Sequence, residues 1–286
     1  MNSAASAGVS LKPQHYDAAL TCTAEAAWFE VHPENYMVQG GPRLAWLQAI
    51  RERHPVALHG VALSLAADAV PDPLHLRRLL ALVERIEPFL ITEHLAWSAW
   101  REAYFPDLLP FPRTSATLAR IVDNVSRVQD ALCRPIAVEN PSHYLRMDAH
   151  EWGEIDFMTE LAQRSGCGLL LDINNVYVSG QNLGYSAEAY IDAFPARHVA
   201  EIHLAGHTPD PTHGEALLID SHDAPVAPAV WSLYARAVDR IGARPTLVER
   251  DGNVPAFEIL LAERERAQAV LCGAEATLVS PLSEAA

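Results

Sequence analysis

The chain has 286 residues, half of them apolar and one fifth charged, a balance that suits a globular domain with a substantial core. Its formal net charge of −15, with no local basic patch to offset it, argues against a nucleic-acid partner. No apolar run reaches the roughly 20 residues that span a bilayer. The N-terminal MNSAASAGVS lacks the basic and apolar regions of a signal peptide, and the four cysteines (Cys22, Cys133, Cys167, Cys272) show no CxxC spacing. A membrane protein, a disulfide framework and a thiolate zinc site are therefore not expected, and the chain reads as cytoplasmic.

In chain order, eight apolar segments read as strands: 8–12 (GVSLK), 27–32 (AWFEVH), 56–61 (VALHGV), 89–94 (FLITEH), 135–139 (PIAVE), 168–173 (GLLLDI), 199–204 (VAEIHL) and 245–250 (PTLVER). Their near-continuous apolar character suits strands buried on both faces. Helical patterns lie between them. Asp72 and Pro73 supply an N-cap followed by proline at the first helical position, and Leu76, Leu79, Leu80, Val83 and Ile86 form an apolar stripe that stops before Pro88. Leu118, Ile121, Val122, Val125, Val128 and Leu132 fit one face of a second helix. Eight strands alternating with helices predict a (β/α)8 TIM barrel, an α/β fold that commonly takes about 250 residues. The expected organisation is one barrel domain over 1–273 and a weakly ordered tail over 274–286.

Two connections stand out. Residues 95–113 are rich in aromatics and proline (Trp97, Trp100, Tyr104, Phe105, Phe111) and suit the wall of a substrate groove. After Leu204 a long stretch, AGHTPDPTHGEALLIDSHDAPVAP, carries His207, His213, Asp220, His222 and Asp223. A long irregular insertion in a compact domain is usually a functional loop.

The chemistry lies where strands give way to loops. Glu30, His32, His59, His94, Glu139, Asp172, His203 and Glu249 all fall there. One histidine at a strand end is ordinarily a hydrogen-bonded structural residue. In a barrel, however, the C-terminal strand ends converge on one axis, so His59, His94, Glu139, Asp172, His203 and Glu249 are expected to face one small space. Three imidazoles and three carboxylates without a thiolate favour iron, manganese or zinc over calcium. Carboxylates bridge ions, so two metals or more are expected, with Glu139, Asp172 and Glu249 the candidate catalytic carboxylates. Asp220 and His222 stand two residues apart, on one side of an extended segment. Together with His207 and one of Asn174 and Asn175 they suit a further metal position; the plainer alternative for IDSHD is an Asx-rich turn. Glu30 and His32 share a strand face, with Asn35 on the following loop; substrate contact or support of the ligands competes there with capping of the next helix. His54, His75, His150 and His198 read as surface residues without partners. GxGxxG, Walker, GxSxG and HExxH patterns are absent.

EVHPENY, LHGVALSL, ITEHLAWS, AVENPSHYL, LLLDINNVYVSG, EIHLAGH, IDSHD and LVERD, in this order, resemble the multinuclear non-haem iron-dependent oxidative enzymes, the DUF692 or UPF0276 family, whose best-known members make methanobactin. The resemblance implies a xylose-isomerase-like barrel and two or three iron ions. It also implies dioxygen-dependent modification of cysteines, of the oxazolone or thiooxazole type, in a ribosomally made precursor peptide that a small partner protein delivers. Carried over by residue, His59, His94, Glu139, Asp172, His203 and Glu249 correspond to the central di-iron ligands, and Asn175, His207, Asp220 and His222 to those of the outer iron. Asn174, which shares strand parity with Asp172, competes with Asn175. By fold analogy alone a divalent-metal sugar isomerase or phosphodiesterase is the alternative, and a non-catalytic metal-binding module a third reading.

Overall fold

The computed structural model describes residues 5–100 and 103–273, and each of the eight apolar segments holds a strand in it. In chain order the strands are β1 (Ala7–Ser10), β2 (Phe29–Val31), β3 (Val56–Gly60), β4 (Leu90–His94), β5 (Trp97–Trp100), β6 (Ala103–Leu109), β7 (Ala137–Glu139), β8 (Gly168–Asp172), β9 (Val199–Leu204), β10 (Thr208–Asp210), β11 (Gly214–Ile219) and β12 (Thr246–Val248). Eight of them close a barrel in the order β1-β12-β9-β8-β7-β4-β3-β2, every pairing parallel. The other four form two antiparallel hairpins, β5 with β6 and β10 with β11. The two stretches expected as irregular loops thus carry hairpins of their own. The expected tail, 274–286, and the side chain of Trp100 lie outside the described residues.

The helices follow local chemistry. Helix α1 (Tyr16–Leu20) and helix α2 (Pro42–Arg51) precede α3 (Pro73–Ile86), where the Asp72 carboxylate accepts from the backbone N–H of Leu74 and of His75. Leu79, Leu82, Val83 and Ile86 are its buried face, and the chain leaves through a left-handed Glu87 ahead of Pro88. Helix α4 (Ser115–Leu132) is capped by Thr114 and buries the stripe from Leu118 to Leu132. Then come α5 (Glu154–Ser165), α6 (Ile173–Leu183), α7 (Ala187–Ala193), α8 (Pro228–Ile241) and α9 (Phe257–Leu271). Among the described residues no helix is long and apolar enough to cross a membrane.

The two ends of the barrel differ in chemistry. At the N-terminal end Trp28, Ala57 and Leu247 form an apolar plug with Phe89 and Leu90 packed on it. The Trp28 indole N–H donates to the Ser6 carbonyl, and its ring meets Phe89 edge-on at 5.1 Å. Gly8 is required beside it, because a Cβ there would stand 2.3 Å from the indole. At the other end register aligns the polar residues: His94 lies opposite Glu139, and Asp172 opposite His203.

Equilibrium urea unfolding tests this account of the scaffold. Asp72→Ala removes only a cap and should cost about 1 kcal/mol, whereas Trp28→Ala empties the plug and should cost about 3–5 kcal/mol. Equal losses would mean that the plug carries no special share of the packing.

Candidate metal centre

The first group of candidate ligands comes from three adjacent strands. His59 Nε2 lies 3.2 Å and His94 Nε2 3.4 Å from Glu139 Oε2, and the two imidazole nitrogens are 3.3 Å apart. Each ring is fixed from behind, His94 by donation from Nδ1 to the Gly60 carbonyl at 2.9 Å and His59 at Nδ1 by the Thr92 hydroxyl at 2.7 Å. This turns Nε2 of both rings toward the carboxylate, as metal-ligating histidines require. Burial lowers both imidazoles to about pKa 4, so they stand neutral and ready to ligate at pH 7. The loop beyond His59 is held by Glu34, whose carboxylate accepts from the N–H groups of Val61 and Ala62.

A second set surrounds His203, which is fully buried. Its Nε2 lies 3.4 Å from Glu30 and 3.7 Å from Glu201, and its Nδ1 lies 3.4 Å from Glu249. Burial alone would lower this imidazole, but the three carboxylates outweigh it and hold the pKa well above the usual value. Glu201 itself is pushed up to about 8 by burial and by Glu30. Asp172 is raised well above the carboxylate range by burial, then by Glu139 and Asp220.

These donors form a connected field. Among the described residues, five groups of three place potential ligand atoms within 4.8 Å of one another: Glu30, His59 and His203; His59, His94 and Glu139; Glu139, Asp172 and His203; Asp172, His222 and Glu249; and His32, Glu249 and Asp251. Glu139, Asp172 and Glu249 each belong to two groups, the placement a bridging carboxylate needs. Glu139 Oε2, Asp172 Oδ2, Asn175 Oδ1 and both ring nitrogens of His203 are buried without a hydrogen-bond partner. Buried polar atoms are almost always partnered, so a cluster of unsatisfied oxygens and nitrogens fits metal ions.

An outer arm completes the rim. Asp220 Oδ1 accepts from the Asn174 amide at 2.7 Å and from His222 Nε2 at 2.9 Å, while His207 Nδ1 donates to Asn174 Oδ1 at 2.8 Å. His222 Nδ1 lies 3.4 Å from Glu249, linking the arm to the centre. Its backbone is left-handed, with φ of 50°, and its N–H donates to the Gly206 carbonyl while its own carbonyl accepts from Asp251 and Gly252. Gly206 permits this approach, since a Cβ there would stand 2.0 Å from the Ala224 carbonyl.

The structure separates the two asparagines. Strand geometry ends at Asp172, which caps α6 by accepting from the Asn175 N–H at 2.6 Å, so the parity argument for Asn174 does not apply. Asn174 joins the outer arm, whereas the Asn175 amide donates to Glu139 Oε1 at 3.0 Å with its own oxygen left bare. His207 belongs to none of the five groups and stands behind Asn174, against the Tyr177 ring at 4.9 Å. Glu30 and His32 both face the field; exposed Asn35 ends a short 3-10 helix, Pro33–Asn35. His32 is raised to about 9 because Asp251 outweighs the effect of burial.

Sequence reasoning missed Glu201 and Asp251, yet each is two residues from a candidate ligand, Glu201 before His203 and Asp251 beyond Glu249. It also left four histidines without partners. His54 packs edge-on to Phe29 at 5.1 Å, His75 lies 3.7 Å from Glu34, His150 Nδ1 accepts from the Arg113 N–H, and His198 Nε2 accepts from Arg197. The field opens on a cavity of about 200 Å3 lined by His94, Glu139, Asn175, His222 and Glu249, with Leu108 at its edge.

Comparison with known proteins adds the following. A family profile described as "RiPP precursor modification enzyme MbnB/TglH/ChrH" matches residues 6–272. A UPF0276 protein of Caulobacter vibrioides (strain NA1000 / CB15N) is 62% identical over 270 residues, covering 94% of this chain and 96% of that protein. The UPF0276 protein RB0508 of Rhizobium meliloti (strain 1021) is 49% identical, covering 93% and 86%. Among solved structures, D-psicose 3-epimerase from Clostridium cellulolyticum H10 superposes with a TM-score of 0.58 at 12% identity, covering 94% of this chain and 97% of that one. An L-ribulose 3-epimerase gives 0.57 at 13% identity, covering 91% and 86%. At such identity these epimerases share the xylose-isomerase-like TIM barrel and establish the fold alone. By the extent of the profile match and the identity to its relatives, the chain belongs to the MbnB/TglH/ChrH family of RiPP precursor modification enzymes.

Proposed function

We propose that this protein is a multinuclear iron-dependent oxidase that uses dioxygen to modify cysteine residues of a ribosomally made precursor peptide. The observation that carries the reading is the connected field of ligand groups with bare buried donor atoms, facing an open cavity in a chain of this family. His59, His94, Glu139, Asp172, His203 and Glu249 would hold the central ions; Asp220 and His222, with Asn175 reaching from Glu139, would hold an outer one. His207 acts on the outer position through Asn174, fixing that amide against Asp220. Iron, when bound, supplies the one-electron chemistry with dioxygen that amino-acid side chains lack.

The remaining roles fall to the chain. None of the five ligand groups includes a cysteine, so the soft-ligand position is left to a substrate sulfur. The protein's own Cys167 is buried, and burial pushes its thiol up to about 11, which keeps it out of the chemistry. His203 and His222 carry protons in the metal-free protein, the latter because Asp220 and Glu249 outweigh burial. Glu249 is drawn well below the usual range by His222 and His203 against the opposing effects of burial and Asp251, so it remains anionic for bridging. A small partner protein that presents the peptide belongs to the same reading. The epimerase likeness brings the barrel but no sugar chemistry.

Metal analysis tests the division of the ions. Because Glu249 serves two groups and touches both His203 and His222, Glu249→Gln should lose more than one equivalent of iron, whereas His222→Ala should lose about one. Equal losses would remove the outer position as a separate site.

Metal affinity should rise with pH. The raised imidazoles of His203 and His222 must give up protons to coordinate, so protons compete with the metal, by about tenfold in affinity per pH unit for each proton released. Ferrous iron titrated anaerobically between pH 6 and 8, with proton release followed in weak buffer, measures the slope; a flat profile refutes the protonated resting state.

Activity should require oxygen, reduced iron and a peptide cysteine together. Anaerobic reconstitution followed by aeration with a co-expressed precursor, read by mass spectrometry, should give a mass change that disappears when the substrate cysteine is replaced by serine. Oxidation of the serine peptide at a comparable rate would sink thiolate anchoring.

A further inference from the structure

A second cavity, of about 520 Å3, lies beside the metal cavity, between the loop after β7, the start of α5 and the segment from α6 to α7. A small cavity of about 20 Å3 lies between the two. Leu108, Pro141 and Ser142 line both this small cavity and the metal cavity, and Arg113, His143 and Glu154 line both the small cavity and the larger space. The volume falls in the range of small-molecule sites, and the walls are mainly apolar, from Leu145, Met147, Ile155, Leu183 and Tyr185.

The floor is polar and only partly balanced. Glu154 accepts from His143 Nε2 at 2.9 Å and from the Tyr190 hydroxyl at 3.0 Å, which occupies one lone pair on each oxygen with a short bond. Although burial opposes ionisation, His143 and Arg113 hold this carboxyl below its usual range. Arg113 is left with a loose pairing, 3.9 Å from Glu154 Oε2, a long contact of Nη1 with His143 Nε2 at 3.4 Å, and a long bond from Nε to the Trp152 carbonyl at 3.4 Å. Its side chain lines this space and is 15% exposed, so N–H groups without a close protein partner are available to an anionic ligand there. His150 adds a donor: its Nδ1 accepts from the Arg113 backbone, which leaves the proton on Nε2. Arg146, Asp148 and Asp156 also line the cavity and are exposed.

We propose that this cavity is a subsite for a carboxylate of the peptide substrate, from its C-terminus or from an acidic side chain, received by Arg113 and His150 while an apolar or aromatic side chain of the same or the adjacent residue packs on Leu145 and Met147. The substrate as occupant rests on the peptide-modifying reading of the metal centre; the preference for a carboxylate rests on Arg113 and the apolar walls. The shared walls hold the anchored residue at a fixed separation from the metal cavity, so the distance along the peptide between that residue and a cysteine becomes a determinant of which cysteine is modified.

The test needs neither metal nor turnover, so its failure leaves the iron reading standing and a failure of oxidation leaves this subsite standing. The chain has four methionines, of which Met147 lines the cavity and Met37 packs elsewhere, on the main core. The full-length metal-free protein with 13C-methyl methionine is titrated with N-acetylphenylalanine, with its neutral amide, and with N-acetyl-leucyl-glutamyl amide. The Met147 signal should move with at least one of the two acids and Met37 should not; the acid that moves it identifies a C-terminal or a side-chain carboxylate as the source. The amide should bind at least about tenfold more weakly than its acid, and Arg113→Gln should remove that preference. An amide that binds as well as the acid, an unmoved Met147 signal with both acids, or a preference that survives in a folded Arg113→Gln protein overturns the proposal.

Discussion

The structure depends on keeping like charges together out of water. Glu30, Glu139, Asp172, Glu201 and Glu249 are all buried at one end of the barrel, and each ionised carboxylate withdrawn from solvent costs several kcal/mol unless something opposes it. In the metal-free chain the opposition is local: raised imidazoles at His203 and His222, and protonation of Glu201 and Asp172. Multivalent cations would replace these protons with a stronger and better-distributed counter-charge. The apolar plug around Trp28 and the capped helices supply the rigid frame that holds such a repulsive set in register.

Much of this was legible in the sequence because parallel strands buried on both faces read as unbroken apolar runs, and an imidazole or carboxylate at the end of such a run is conspicuous. All eight barrel strands were found that way, and so were six of the residues that the structure groups at their ends. Glu201 escaped because it lies inside its strand, one step down the same face as His203, where an apolar residue is the ordinary occupant. The choice between Asn174 and Asn175 stays open in the sequence because β8 passes into α6 with no intervening loop, and one residue of helix turns a side chain by about 100° where a strand turns it by 180°. The pocket around Arg113 draws on residues from 113 to 190 with no shared period, and only the folded chain brings them together.

The outer arm is built differently from the centre. The central donors sit on hydrogen-bonded strands or just beyond them, whereas Asp220 and His222 sit on a loop kept in place by a left-handed residue, by Gly206 against Ala224, and by the N–H groups of Asp251 and Gly252. A side chain carried this way depends on backbone contacts with its neighbours, so the arm's geometry is tied to the end of β12 and hence to Glu249. The two parts of the metal field are mechanically joined through the residue they share.

The plug at the N-terminal end has a consequence for traffic. With Trp28, Ala57 and Leu247 filling the barrel floor, the polar chamber is a blind recess whose opening lies at the strand C-termini. On the proposed function, a peptide lying across that opening would obstruct the route of every small reactant. Dioxygen, metal and product would then take turns with the peptide at the same doorway, and the sequence of arrivals and departures would become part of the kinetic scheme.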